Sequence, residues 1–248
     1  TNYLALLQTV EYLRAFLMAR LAWSRLKALL IISGAFGLFQ RKAVVEVGGY
    51  TLGTVGEDME LVVKLHRKAL EEGRDYTVAF VPEPVCWTEA PEQLDVLGRQ
   101  RSRWHRGALE VYAKHRDMLG DPRYGRVGWL GMGNVLVSDV LGPVADLLGW
   151  ILVPLLWAMG LLSFDYFMAF LAVTVTLGIV VSVGALALEE MELRRFPRTR
   201  DLLKLAGAAV AENLGYRQLV SLWRLRGMWQ WHRKSHVWGE MTRTGFRK

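Results

Sequence analysis

The hydrophobic pattern of this chain has three regimes. Residues 9–33 (TVEYLRAFLMARLAWSRLKALLIIS) set Glu11, Arg14, Arg20, Arg25 and Lys27 between apolar stretches. That spacing predicts one amphipathic helix or two, at least half buried, either in a core or on a membrane surface. Small residues follow at 33–39 (SGAFGLF), where a ligand or another segment can approach the backbone closely. A short helix is expected over 42–47, closed by a Gly48-Gly49 turn. Thr54 and Glu57 stand in capping-box register before a helix over 56–72, with Leu61, Val62, Leu65 and Leu70 facing a core and Gly73 at its end. Residues 76–81 read as a short strand stopped by Pro82 and Pro84. Residues 88–92 open another helix that runs to about His115.

From Val127 the chain turns apolar. Residues 147–163 and 166–188 contain no charged side chain. About 20 helical residues cross a hydrocarbon core of about 30 Å. The second stretch meets that length, and the first meets it from Pro143, which places Asp146 at the interface. Ser163-Phe164-Asp165 separates spans of about 143–163 and 166–188, so a tight transmembrane hairpin is expected. Arg116, Arg123 and Arg126 precede it, and Arg194, Arg195, Arg198 and Arg200 follow it, which puts both flanks in the cytosol. Residues 202–222 are apolar too but carry Lys204, Glu212 and Arg217. A charge in mid-membrane costs about 2.5–3.5 kcal/mol or more. Spanning would also export a basic tail of Arg224, Arg226, Arg233, Lys234, Arg243, Arg247 and Lys248. An interfacial or re-entrant helix with a cytosolic tail is therefore expected. The organisation read is 1–120, 121–200 and 201–248: a catalytic part, a hairpin, and an interfacial helix with its tail.

Composition narrows the class. The 248 residues are 52% hydrophobic with ten Trp, rich for a soluble protein. The net charge of +7 suits nucleic acid, anionic lipid or a phosphorylated substrate. The cations flank apolar spans and form no soluble face with a reader motif, so nucleic acid is not expected as a partner. The lone Cys86 excludes an internal disulfide and a Cys-based zinc cluster. His66 and His105 read as helix-surface residues, not ligands. The chain opens at Thr1 inside a helix, without a short apolar core and cleavage site, and reads as the C-terminal part of a longer protein.

Two short motifs carry chemistry. Glu57 and Asp58 stand at a helix start, about 100° apart around the axis, so they cannot share one task. Glu57 can cap the helix. Asp58 lies where the dipole favours negative charge, suiting a base that takes a proton from a hydroxyl. Alone, the pair reads first as an ordinary acidic first turn. Gln100, Arg103 and Trp104 share one helix face. A guanidinium supplies a planar fork for phosphate oxygens and an indole an aromatic face for a sugar. A basic helix facing anionic lipid is the competing reading.

SGAFGLF, TVGEDMELV, PVCWTEAPE and QRSRW, in this order ahead of a membrane hairpin, resemble the processive membrane-bound family 2 glycosyltransferases. That family includes cellulose, hyaluronan, chitin and poly-N-acetylglucosamine synthases, and the bacterial biofilm-synthase group is the subtype most resembled. The resemblance extends to ENLGYRQL at 212–219. It implies an α/β GT-A catalytic-domain fragment followed by a mainly helical membrane region. It implies inverting transfer from a nucleoside diphosphate sugar, expected to be a UDP-sugar, to a growing glycan at the cytoplasmic face of the bilayer. Asp58 matches the family's catalytic base and Glu57 the preceding acid, with Gly56 where the family carries Thr. Gln100, Arg103 and Trp104 match the motif that holds the diphosphate and the acceptor terminus. Gly34 and Ala35 fall near the acceptor-end motif. Mg2+ or Mn2+ is expected for the full-length enzyme. Its Asp-x-Asp ligands belong to the family's N-terminal half, and no Asp-x-Asp occurs here. A non-catalytic scaffold of a polysaccharide export complex is the alternative.

Overall fold

A computed structural model describes residues 2–32, 34–83, 86 and 88–233. The first helix is continuous over α1 (Tyr3–Tyr12), a wider π-type turn (Leu13–Met18) and α2 (Ala19–Arg25). Asn2 caps it by accepting from the Leu4 N–H at 2.9 Å. It ends at Arg25, earlier than the pattern over 9–33 predicts, because Lys27 takes a left-handed φ of 55°. Ala28, Leu29 and Leu30 then run buried without helical structure.

The next helices are α3 (Arg41–Glu46), α4 (Glu57–Glu71) and α5 (Leu94–His115). Gly73, at φ 61°, follows α4 as expected. Leu61 and Val62 are fully buried, and Leu65 and Leu70 half so. The expected capping box is absent. The α4 N-cap is Gly56 and has no side-chain cap, while Glu110 of α5 accepts from the Thr54 hydroxyl at 3.0 Å and the Val55 N–H at 2.9 Å. A carboxylate from another helix has taken the role assigned to Glu57. The helix expected from 88–92 begins at Leu94.

The expected α/β character is not seen: the described residues are helical and contain no strand. Residues 76–82 keep a period of two in burial, with Tyr76, Val78, Phe80 and Pro82 half buried and Thr77, Ala79 and Val81 exposed. A strand needs a neighbour to complete its ladder. Among the described residues no backbone–backbone hydrogen bond involves this segment. The Phe80 N–H donates instead to Ser24 Oγ at 3.0 Å.

The apolar region forms two long helices. The first covers Val127–Ala158, with π-type turns at Val127–Met132 and Leu136–Leu141 flanking α6 (Gly133–Val135), then α7 (Gly142–Ala158). The second is α8 (Phe164–Glu192). Both are long and apolar enough to cross a membrane. The turn lies at 159–163, not at Ser163-Phe164-Asp165. Gly160 takes φ 73° and the Leu161 N–H bonds back to the Leu156 carbonyl at 2.9 Å, closing the first helix. Ser163 then caps the second. Trp157 stacks on Phe167, rings 4.8 Å apart, and holds the hairpin together.

After α9 (Thr199–Ala211), a π-type turn at Glu212–Tyr216 breaks at Leu214 and Gly215 and leads into α10 (Arg217–His232). Helix α10 lies along α5, and two glycines permit it. A Cβ on Gly98 would meet Trp223 Nε1 at 2.6 Å, and one on Gly227 would meet the Ser102 carbonyl at 2.6 Å. One core joins α1, α8, α9 and the Glu212–Tyr216 turn through Val10, Leu17, Ala185, Leu205, Ala209 and Tyr216. The other joins α4, α5 and the start of the first long helix through Met59, Val63, Val111, Met132 and Val135. Of the basic tail, Arg224 is tied to the first long helix through Asp139 at 2.6 Å. Lys234, Arg243, Arg247 and Lys248 lie outside the described residues.

Candidate active site

Helix α4 meets α5 backbone to backbone. A Cβ on Gly56 would fall 2.7 Å from the Gly107 carbonyl, and one on Gly107 would fall 2.9 Å from Gly56 N. Only glycines allow this approach. The contact fixes the first turn of α4 three residues beyond Trp104.

Asp58, in that first turn, is held by two backbone donors. Met59 N–H reaches Oδ1 at 2.8 Å and Gly34 N–H reaches Oδ2 at 2.9 Å. The structure thus brings together two residues picked from separate motifs. Ala35 is exposed beside Gly34, and its carbonyl lies 3.9 Å from the Cys86 thiol. Glu57 goes elsewhere: its Oε2 is buried without a hydrogen-bond partner.

On α5 the expected face is rearranged. Gln100 is buried, and its amide oxygen accepts from Arg101 Nη1 at 2.6 Å. Arg103 is half buried and engaged by neighbours. Trp104 remains 41% exposed. Its ring lies 6.1 Å from Phe16 and 6.4 Å from Tyr12, which stack on each other at 4.7 Å. The indole stands on the wall of a cavity of about 720 Å³ that also takes in Arg20, Met59, Arg101, Asp139 and Trp150. Of the expected site residues only Trp104 is among the cavity's lining residues; Gly34, Ala35, Glu57, Asp58, Gln100 and Arg103 are not, although Met59, next to Asp58, is.

Sequence reasoning missed several groups here. Arg20 reaches the cavity wall from α2, with its guanidinium 4.2 Å from the Phe16 ring centre and Nε without a hydrogen-bond partner. Burial pulls it down to about 10, against the opposing pull of the Asp58 charge. A cation among Leu and Phe on an amphipathic helix was the available signal. Glu60, fully buried behind Asp58, accepts from Lys114 at 2.6 Å and Thr51 at 2.6 Å. Burial pushes its carboxyl up, but the hydrogen bonds from Lys114 and Thr51, with the nearby Lys64 charge, win and hold it at about 2.

Both histidines read as surface residues are buried. His66 bonds the Leu29 carbonyl through Nε2 at 2.8 Å and the Tyr76 hydroxyl through Nδ1 at 2.7 Å. Burial pushes it below its ordinary value. His105 lies at about 3, lowered by burial and then by the Arg224 charge. Helix periodicity put them on α4 and α5, but α10 and the 28–30 segment cover those faces. Among the described residues there is no group of three or more His, Cys, Asp or Glu that could hold a metal ion.

Poly-beta-1,6-N-acetyl-D-glucosamine synthase of Staphylococcus aureus (strain COL) is 34% identical over 111 residues, covering 45% of this chain and 26% of that protein. The synthase of the same name from Staphylococcus epidermidis (strain ATCC 35984) is 32% identical over the same coverage. The chain thus matches about a quarter of the length of these curated relatives. No solved structure matches it. The family model described as glycosyl transferase family group 2 matches residues 1–186, a stretch that takes in the Asp58 turn, the Trp104 helix, the first long apolar helix and most of the second. With three quarters of its length so matched, the chain belongs to glycosyl transferase family group 2.

Proposed function

We propose that this chain forms the acceptor side of an inverting hexosyltransferase that extends a polysaccharide at a membrane. The observation that carries the reading is the seating of Asp58. Its carboxylate is oriented by two backbone N–H groups, on a helix locked by Gly56 and Gly107 to the helix that presents Trp104 to the cavity.

In this reading the acceptor sugar lies against Trp104. Asp58 takes the proton from its hydroxyl as that oxygen attacks the anomeric carbon, and the bond to the nucleoside diphosphate breaks. Arg103 offsets charge on the leaving diphosphate and Gln100 supports the same helix. Glu57, Gly34 and Ala35 shape the acceptor entrance. The relatives' names point to an N-acetylglucosamine donor, hence a UDP-sugar, and a growing glycan as acceptor. A divalent metal would be held by residues outside those described. The period of two over 76–82 supports an α/β GT-A domain whose partner strands lie outside the described residues.

The bilayer is part of the proposal. Both long helices leave large apolar side chains in the open, Trp129, Leu152, Trp157, Val173, Leu177 and Val180 among them, where a soluble core helix would bury them. The basic flanks support a multi-pass topology with the catalytic part on the cytoplasmic side. The break at Leu214 and Gly215 supports an interfacial or re-entrant 202–222 over a third span. Neither the cavity nor the family match favours the non-catalytic scaffold.

The test is Asp58→Asn in the complete enzyme, in membranes. Transfer should be abolished while UDP-sugar binding stays near wild type. Substantial residual polymerisation would remove Asp58 from the base role.

A further inference from the structure

The residue that holds Trp104 is its neighbour one turn back. Arg101 is 4% exposed, and its guanidinium sits 4.5 Å from the Trp104 ring centre and 5.5 Å from that of Tyr12. Positions i and i+3 share a helix face, so the cation and the indole project together. Three groups fix the guanidinium in turn. Nη1 donates to the Gln100 amide oxygen at 2.6 Å, and Nη2 donates to Glu11 Oε2 at 2.7 Å. The same Glu11 oxygen accepts from the Tyr216 hydroxyl at 2.7 Å. Glu11 belongs to α1 and Tyr216 to the turn before α10, so three remote parts of the sequence converge on one side chain.

We propose that Arg101 is a positioning residue that sets the plane of the Trp104 indole, and that Glu11 and Tyr216 anchor it. Gln100 then acts through Arg101, not by touching substrate. A planar guanidinium stacks on an aromatic face, and a lysine ammonium does not reproduce that shape. Arg101 thus lies against the indole, the tilted rings of Tyr12 and Phe16 stand 6.4 and 6.1 Å from it, and the indole remains 41% exposed on the cavity wall. The inference rests on the reading of Trp104 as the acceptor's platform, and the test separates the two.

In the complete enzyme reconstituted in lipid vesicles, Arg101→Lys keeps a cation for Glu11 but loses the guanidinium that lies 4.5 Å from the Trp104 ring centre. The KM for an oligosaccharide acceptor should rise about tenfold, between what an exposed and a desolvated cation–π contact supply. Hydrolysis of the UDP-sugar without acceptor should persist. Trp104→Ala should raise the acceptor KM at least as far, and Arg101→Lys added to it should contribute nothing more. Equal effects of Arg101→Lys in both backgrounds would overturn the positioning role, as would loss of donor hydrolysis in Arg101→Lys alone. An acceptor KM unmoved by Trp104→Ala would instead overturn the platform reading. Tyr216→Phe deletes one hydroxyl and carries the test if Arg101→Lys does not accumulate. It should raise the same KM about twofold, in keeping with one modest hydrogen bond, and no change would remove the anchor.

Discussion

Gly56 and Gly107 tie the chemistry to the scaffold at the scale of single atoms. With a Cβ at 2.7 Å from a carbonyl oxygen, Gly56→Ala must push α4 away from α5. Overpacking of this kind costs about 1–3 kcal/mol. Gly56→Ala should lower the melting temperature in detergent and cut transfer more than donor binding, because Asp58 moves with the helix. Gly49→Ala, with open space at its Cβ position but φ 68°, should affect stability without that split. Part of this geometry was legible. Asp58, Gly34 and Trp104 are picked out by the order of motifs that carries the resemblance, and the structure joins the first two at 2.9 Å. Arg101 was not legible, since inside Gln-x-x-Arg-Trp it looks like a spacer. Its importance comes from Glu11 and Tyr216, which no local pattern links to it.

The elements are held by polar contacts at unusual depth. Arg14 bonds to Glu212, which also accepts from Ser182 in the middle of α8, and Arg14 donates to Ser182 at 2.8 Å. Close by, a Cβ on Gly178 would collide with Asn213 Oδ1, so α8 and the Glu212–Tyr216 turn are fitted to each other. Glu212 is fully buried. Arg14→Met should therefore destabilise the fold, by less than the about 3–5 kcal/mol of a stranded charge, because Ser182 still donates to the carboxylate and Arg217 Nε stays 4.0 Å from it. Adding Glu212→Gln should restore most of the loss, as read by thermal unfolding in detergent. Helix existence was largely readable here from apolar runs and periodicity. Helix ends were not. The α4 start is satisfied by Glu110 from a separate helix, and the hairpin turn is set by Gly160 in a stretch that looks uniformly apolar. The first depends on a contact that a local window does not contain; the second is closed locally, by the Leu161 N–H on the Leu156 carbonyl, but its apolar residues hide it.

For the whole molecule, buried ionisable groups set an acid limit. His66, His105 and His115 are all pushed below the ordinary 6.5, each first by burial, with His105 at about 3. The unfolded chain binds protons at these sites first as pH falls, so their contribution is complete above about 6.5 and is lost as the pH drops toward 3. Glu60, at about 2 against 4.5, adds a loss of the same sign between 4.5 and 2. Unfolding free energy should thus fall steadily below pH 6.5, and His105→Gln should flatten part of that slope in denaturant titrations. The sequence offered both histidines as solvent-facing because helix periodicity cannot show which neighbour will cover a face. A last consequence belongs to handling. Residues 76–82 lie extended and sided, with Val81 60% exposed and no ladder partner among the described residues. Such a rim is a template for any passing backbone. Light scattering from this chain by itself should therefore rise with concentration more than with temperature.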